Sequence, residues 1–172
     1  MSETLQEMPE VDNFIGRWLH FLSRMAAILG GFVMSGLVVM TVVSVIGRWL
    51  FSSPIYGDFE LVEMGTAISV FLFLPYCHMN RGNVIVDLFL AWAPRGLQSF
   101  FDVLGSIALA AIAGMLTWRM VLGGFDMVEY NETTYILAMP IWWAFPFAIG
   151  SLGLLTLCCL YTAIHDGWRM FR

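Results

Sequence analysis

The sequence predicts an all-α integral membrane protein with four transmembrane helices, short interfacial amphipathic helices, and both the N- and C-termini in the cytoplasm. Three observations carry that prediction. Hydrophobic residues fill 59% of the 172 positions and charged residues only 12%, with a mean hydropathy of +0.78, a mix suited to hydrocarbon rather than water. Four stretches have the length of about 20 mostly apolar residues that crosses roughly 30 Å of hydrocarbon. Arginines gather in the connections on one side of those stretches. Beside four spans, no room is left for a separate soluble domain.

Residues 1–25 read as a cytoplasmic segment, 26–164 as a single four-helix transmembrane domain, and 165–172 as a cytoplasmic tail. Met1 to Asp12 is acidic where a signal peptide would be basic and then apolar, so no cleavage is expected and the first span should direct its own insertion. Between Asn13 and Arg24, Arg17, His20 and Arg24 fall at i, i+3 and i+7, with Phe14, Trp18, Phe21, Leu22 and Met25 as apolar surface, which predicts an interfacial helix. The first span, 26–46, is free of charge and ends at Gly47, Arg48 and Trp49, a cation and an indole of the kind that anchor at an interface.

The second span, 61–79, carries Glu63 near its start and Pro75 near its end and is expected to bend slightly. Asn83 to Pro94 is too short to cross and reads as re-entrant or interfacial. The third span, 103–122, has Arg119 near one end, where its stem lets the guanidinium snorkel to headgroups. The fourth, 141–164, follows Pro140 and holds Pro146 in its early turns, both suited to a helix start.

Orientation follows from Arg17, Arg24, Arg81, Arg95, Arg169 and Arg172 on the cytoplasmic side, against Arg48 and Arg119 on the other. In that topology Trp49, Trp118, Trp142 and Trp143 form the outer aromatic belt, and Trp18, Trp92 and Trp168 the inner one. The net charge is −5 and the chain has no lysine, which excludes nucleic acid as a partner because phosphate neutralisation needs a dense basic face. Cys77, Cys158 and Cys159 form neither a CxxC pair nor an even framework and read as packing residues.

Chemistry is sparse. The middles of the first, third and fourth spans hold no ionisable group, and nothing has metal-ligand spacing, a phosphate-binding loop or a catalytic grouping, so neither cofactor nor metal nor catalysis is expected. Glu60 and Glu63, one turn apart at the outer end of the second span, either face the outer interface or pair with Arg48, or else hold a proton or cation. Arg48 with Glu60 is the expected structural polar pair. Asp126, Glu129 and Glu132 make the 123–140 connection acidic, either as a solvated loop or as a docking surface for a protein partner. Ser106, Ala110 and Gly114 on the third span, and Gly31 with Ser35 on the first, recur every four residues and permit close helix contact, within the chain or with a partner.

In its order of residues, the chain resembles the small membrane subunit of the tripartite ATP-independent periplasmic transporters, the DctQ type, over roughly 25–160. The features are Val45-Ile-Gly-Arg48 with Phe51 and Pro54, Gly57-Asp-Phe-Glu60-Leu, Arg81-Gly-Asn-Val-Ile-Val-Asp87-Leu, Thr133 or Thr134, Leu137, Met139-Pro140-Ile-Trp142, and Pro146 with Gly150. Asn83 stands where the family often has histidine. The resemblance implies a scaffold subunit, not an enzyme, in the cytoplasmic (inner) membrane of a bacterium or archaeon. Its implied partners are a large elevator-type permease subunit, one to one, which carries the substrate and sodium sites, and a periplasmic substrate-binding protein that delivers small organic anions. The competing classes are a self-contained four-helix homodimeric exporter, which would need Glu60 or Glu63 as its coupling carboxylate, and a haem or quinone anchor of a respiratory enzyme, for which His78 and His165 fall at similar depth.

Overall fold

The computed structural model describes residues 14–52, 55–80 and 95–170. They form four long helices: α1 (Phe14–Phe51), α2 (Asp58–Met79), α3 (Arg95–Glu129) and α4 (Phe145–Met170), with a 3-10 turn, Ile141–Ala144, leading into α4. All four are long and apolar enough to cross a membrane. In hydrocarbon every backbone N–H and C=O needs an internal partner, which is why runs with as many glycines as α1 still stay helical. Several hydroxyls inside the spans are satisfied by their own helix, as in Ser69 Oγ to Gly65 O at 2.8 Å and Thr117 Oγ1 to Ala113 O at 2.7 Å.

Two boundaries differ from the sequence expectation. The interfacial helix expected over 13–24 is continuous with the first span, because no proline, cap or turn residue separates Met25 from Ala26; α1 is one rod of 38 residues. At 1.5 Å per residue it is about 57 Å long. The connection expected over 123–140 begins late, since α3 continues through the Gly123–Gly124 pair to Glu129. Gly124 keeps the helix because its missing side chain makes room for Phe145; a Cβ there would lie 3.1 Å from Phe145 Cδ1. The 83–94 stretch lies outside the described residues. Pro140 is extended and precedes the 3-10 turn, and Pro146 sits in the first turn of α4, where its lost N–H has no intrahelical partner to miss.

Among the described residues, the helices stand in an open row, in the order α1, α2, α4, α3, rather than in a closed bundle. Within the pairs α1–α2 and α3–α4 the helices are antiparallel, and α2 and α4 run parallel at the centre of the row. Of the most apolar stretch of each helix, 39% is buried in α4 but only 6% in α1, so α4 is the hub and α1 an outlying member. Buried Ala110, Ala113, Leu152, Leu155 and Cys159 knit α3 to α4, with Phe71 and Met120 against them. Ser106 and Ala110 are buried and Gly114 faces Thr156, so this small-residue stripe serves packing inside the chain.

The α1–α2 contact has a seven-residue register. Gly16, Ser23, Gly30 and Ser44 are the small buried positions of α1, with Leu37 interleaved, and Asp58, Gly65, Leu72 and Met79 recur at the same interval on α2. Steps along the two helices match: Gly30 lies against Leu72, Leu37 against Gly65, and Ser44 against Asp58. A period of 3.5 residues per turn keeps one seam facing a partner along the helix. By contrast, Gly31 has nothing within 4 Å of its Cβ position and Ser35 is exposed, so neither of these expected packing residues is used within the chain.

Adding volume at the seam should separate the two helices. A Cβ at Gly30 meets Leu72 Cβ at 3.2 Å and the backbone oxygen of Ser69 at 3.3 Å, neither of which can rotate away. Gly30→Val is expected to destabilise the detergent-solubilised protein by about 1–3 kcal/mol, the usual cost of overpacking. Gly31→Val, one residue on, is expected to leave the thermal midpoint unchanged.

Candidate functional site at the hairpin end

Carboxylates, a hydroxyl, an arginine and backbone amides meet at one end of the row, where α1 turns into α2 and where 130–140 joins α3 to the 3-10 turn. The turn after α1 uses Ser52 and Gly57 at positive φ, 52° and 74°. Gly57 is required twice: for its left-handed backbone, and because a Cβ there would fall inside the Leu137 side chain. The first helical bond of α2, from Leu61 N to Gly57 O, follows at 3.1 Å.

Two carboxylates in the first turn of α2 then take different partners. Asp58 Oδ2 accepts from Ser44 Oγ at 2.6 Å, and Oδ1 accepts from the N–H of Phe59 at 2.9 Å. Ser44 Oγ in turn accepts from Ile55 N at 3.3 Å, so one hydroxyl ties α1 to the connection and to α2. Arg48 Nη2 lies 3.8 Å from Asp58 Oδ2, with the Arg48 side chain 55% exposed and that of Asp58 16% exposed. The cation of the expected Arg48–Glu60 pair therefore goes to Asp58 instead.

Glu60 does something the sequence reading did not anticipate. Its Oε1 accepts from Ile136 N at 2.7 Å and its Oε2 from Leu137 N at 3.0 Å, a bidentate grip on two consecutive backbone N–H groups across 76 and 77 positions of chain. Those donors belong to a small hairpin. Thr133 and Pro140 form an isolated antiparallel bridge, Thr134 N donates to Met139 O at 2.9 Å, and Ile141 N donates to Glu132 O at 3.1 Å. Met139 N donates to Thr134 Oγ1 at 3.1 Å, and Ala138 sits at φ 50° to turn the chain. A carboxylate supplies two acceptor oxygens at the spacing of adjacent amides, and the charge strengthens both bonds. Tyr135 remains wholly exposed at the tip.

The other predicted residues divide. Glu63 is exposed and separate from Glu60's contacts. Asp126 and Glu129 are exposed on the last turns of α3, with Glu132 exposed just beyond; none has an ion-pair partner among the described residues. They are helical rather than loop residues, apart from Glu132. Trp49, Trp118 and Trp143 are exposed at this end with Tyr56, Phe59 and Phe125, as an interfacial aromatic belt would be. At the opposite end His78 is buried and His165 stacks on Tyr161 at 6.0 Å. Among the described residues, no group of three or more His, Cys, Asp or Glu could hold a metal ion.

The family model described as the DctQ component of the tripartite ATP-independent periplasmic transporters matches residues 37–168, a span that takes in the hairpin end and all of α2, α3 and the 3-10 turn. No curated protein and no solved structure matches.

Two measurements test the site. Amide hydrogen exchange at Ile136 and Leu137 should speed up several-fold in Glu60→Gln, which keeps one acceptor, and more in Glu60→Ala, with helicity unchanged; Glu63→Gln should match the parent. In double-mutant cycles, Ser44 and Asp58 should couple by about 1.5–3 kcal/mol, as a hydrogen bond to a charge does, and Arg48 with Asp58 by under about 1 kcal/mol. Arg48 and Glu60 should show no coupling.

Proposed function

Because the chain belongs to the DctQ component family of the tripartite ATP-independent periplasmic transporters, we propose that it is the small scaffold subunit of a sodium-driven, binding-protein-dependent uptake system for small organic anions. It is a multi-pass membrane protein that works with the other components of such a transporter. In our reading it sits in the cytoplasmic membrane with both termini inside and braces one large elevator-type permease subunit.

The observation that carries this reading is the open row. Among the described residues the four helices lie side by side, α1 against α2, α2 against α4 and α4 against α3, the form of a wall rather than of a closed bundle. Nor do the central turns of α1, α3 and α4 contain an ionisable group that could bind a substrate anion or a coupling cation. Substrate and sodium sites are therefore assigned to the permease. Gly31 and Ser35, on an edge helix and unused within the chain, are the positions at which a foreign helix could approach the α1 backbone closely.

Asp126, Glu129 and Glu132 are proposed as docking contacts for the periplasmic binding protein. They stand exposed at the hairpin end, free of competing cations among the described residues, where a basic patch on a soluble partner would find them.

Gentle affinity purification of the tagged chain from its native membrane tests the assignment. A multi-span permease is expected to co-purify at one-to-one stoichiometry; a homo-oligomer that itself moves solute in liposomes would overturn it. In the reconstituted transporter, replacing Asp126, Glu129 and Glu132 together by their amides should raise the binding-protein concentration for half-maximal uptake by about three- to tenfold at low salt. The salt dependence of uptake should flatten with it.

A further inference from the structure

The rod α1 is about twice as long as a bilayer's hydrocarbon is thick, roughly 57 against 30 Å. Its charge-free run, Met25 to Gly47, lies between Arg24 and Arg48 and fills the hydrocarbon. That places Arg24 at the headgroup boundary and Arg17 two turns farther out on the same flank, at i and i+7.

Three faces can be read on this overrun. Gly16, Leu19 and Ser23 are buried toward the rest of the chain. Phe14, Trp18, Phe21, Leu22 and Met25 are exposed and continue the exposed apolar stripe of the span, through Ile28, Leu29 and Phe32. Arg17 and Arg24, both exposed, occupy the flank between the two, and neither has an ion-pair partner among the described residues. His20, on their side, is turned onto Tyr76 with ring centroids 6.1 Å apart. Two guanidinium groups beside a lipid-facing apolar stripe at headgroup depth match a phosphate whose acyl chains lie along that stripe. The chain's net charge of −5 repels an anionic surface in general, so this flank is a local exception.

We propose that the overrun of α1 is a binding site for anionic phospholipid headgroups, with Arg17 and Arg24 contacting the phosphates, Trp18 and Phe21 lying among the headgroups, and Met25, Ile28 and Leu29 against the acyl chains. The site anchors the edge helix in the leaflet at the tail end of the row. It stands apart from the choice of permease or substrate.

The test is native mass spectrometry of the full-length chain in detergent with equal amounts of phosphatidylglycerol and phosphatidylcholine of the same acyl chains. The parent is expected to retain phosphatidylglycerol preferentially, and R17Q/R24Q to lose about tenfold of that preference, with circular dichroism unchanged. R17K/R24K, which keeps the charge, should retain most of it. Should the double glutamine variant lose helicity, the single variants R17Q and R24Q decide, each expected to lose part. Inorganic phosphate at about 20 mM should leave the bound lipid in place, and its displacement would point to a free-anion site instead. Equal retention of the two lipids, or an unchanged preference in folded R17Q/R24Q, would overturn the proposal. So would a preference that appears only after deletion of residues 2–12, which would give the arginines to Glu3, Glu7, Glu10 and Asp12 of the chain's own N-terminal segment.

Discussion

Hydrocarbon gives two helices no hydrophobic reason to meet, so their contact depends on how closely the backbones can approach. In this chain that constraint is met by the seven-residue seam of α1 and α2, with glycine or serine wherever the partner presents bulk. Leu72 fills the space at Gly30, and Leu37 fills the space at Gly65. The register then places Ser44 opposite Asp58, which closes the turn. With the turn closed, Gly57 receives Leu137, and the hairpin that carries Leu137 lands on Glu60. One continuous set of contacts thus runs from Gly30 to a hairpin more than a hundred positions away.

The two acids at the start of α2 show how helix geometry outranks charge in choosing partners. Positions i and i+2 of a helix face away from each other, so Asp58 and Glu60 serve opposite neighbours. Asp58 faces α1 and collects its hydroxyl and, at longer range, its arginine. Glu60 faces the other way, where the hairpin's amides lack a ladder partner. Both also sit at a helix N-terminus, where negative charge is favoured by the dipole. An argument from charge alone pairs Arg48 with the more tempting motif glutamate; the half-turn between positions decides otherwise.

What the sequence made legible was whatever a single helix determines. The four spans, the proline positions at the start of α4 and the lack of mid-membrane charge depend on local composition, and hydropathy reads them directly. The α3 stripe Ser106, Ala110 and Gly114 was also legible, because small residues four apart mark one face without reference to the partner. Gly30 was not. It is adjacent to Gly31, which belongs to a four-residue pattern with Ser35, whereas the true seam repeats every seven residues and includes Leu37, whose partner is a glycine on α2. The extension of α3 through Gly123 and Gly124 needed knowledge of Phe145. The grip of Glu60 on Ile136 and Leu137 was hidden for the same reason: both motif segments were visible, but their contact joins backbone to side chain across 76 positions, and backbone donors leave no trace in residue type.

The row can be taken as two helical hairpins, α1–α2 and α3–α4, joined along the α2–α4 contact. An apolar seam between small and aliphatic side chains holds its register by fit alone, without the fixed lengths and directions of hydrogen bonds. At the tail end the joint is of this kind, with Leu19, Met79 and Cys158 in one cluster. At the hairpin end it is polar. The bonds from Ile136 and Leu137 to Glu60 have fixed lengths and directions, and Leu137 is keyed into the space over Gly57. A shift of α2 past α4 by even a fraction of a turn would break both bonds and drive a side chain into the Gly57 backbone. Resistance of the α2–α4 joint to shear is therefore concentrated at Glu60.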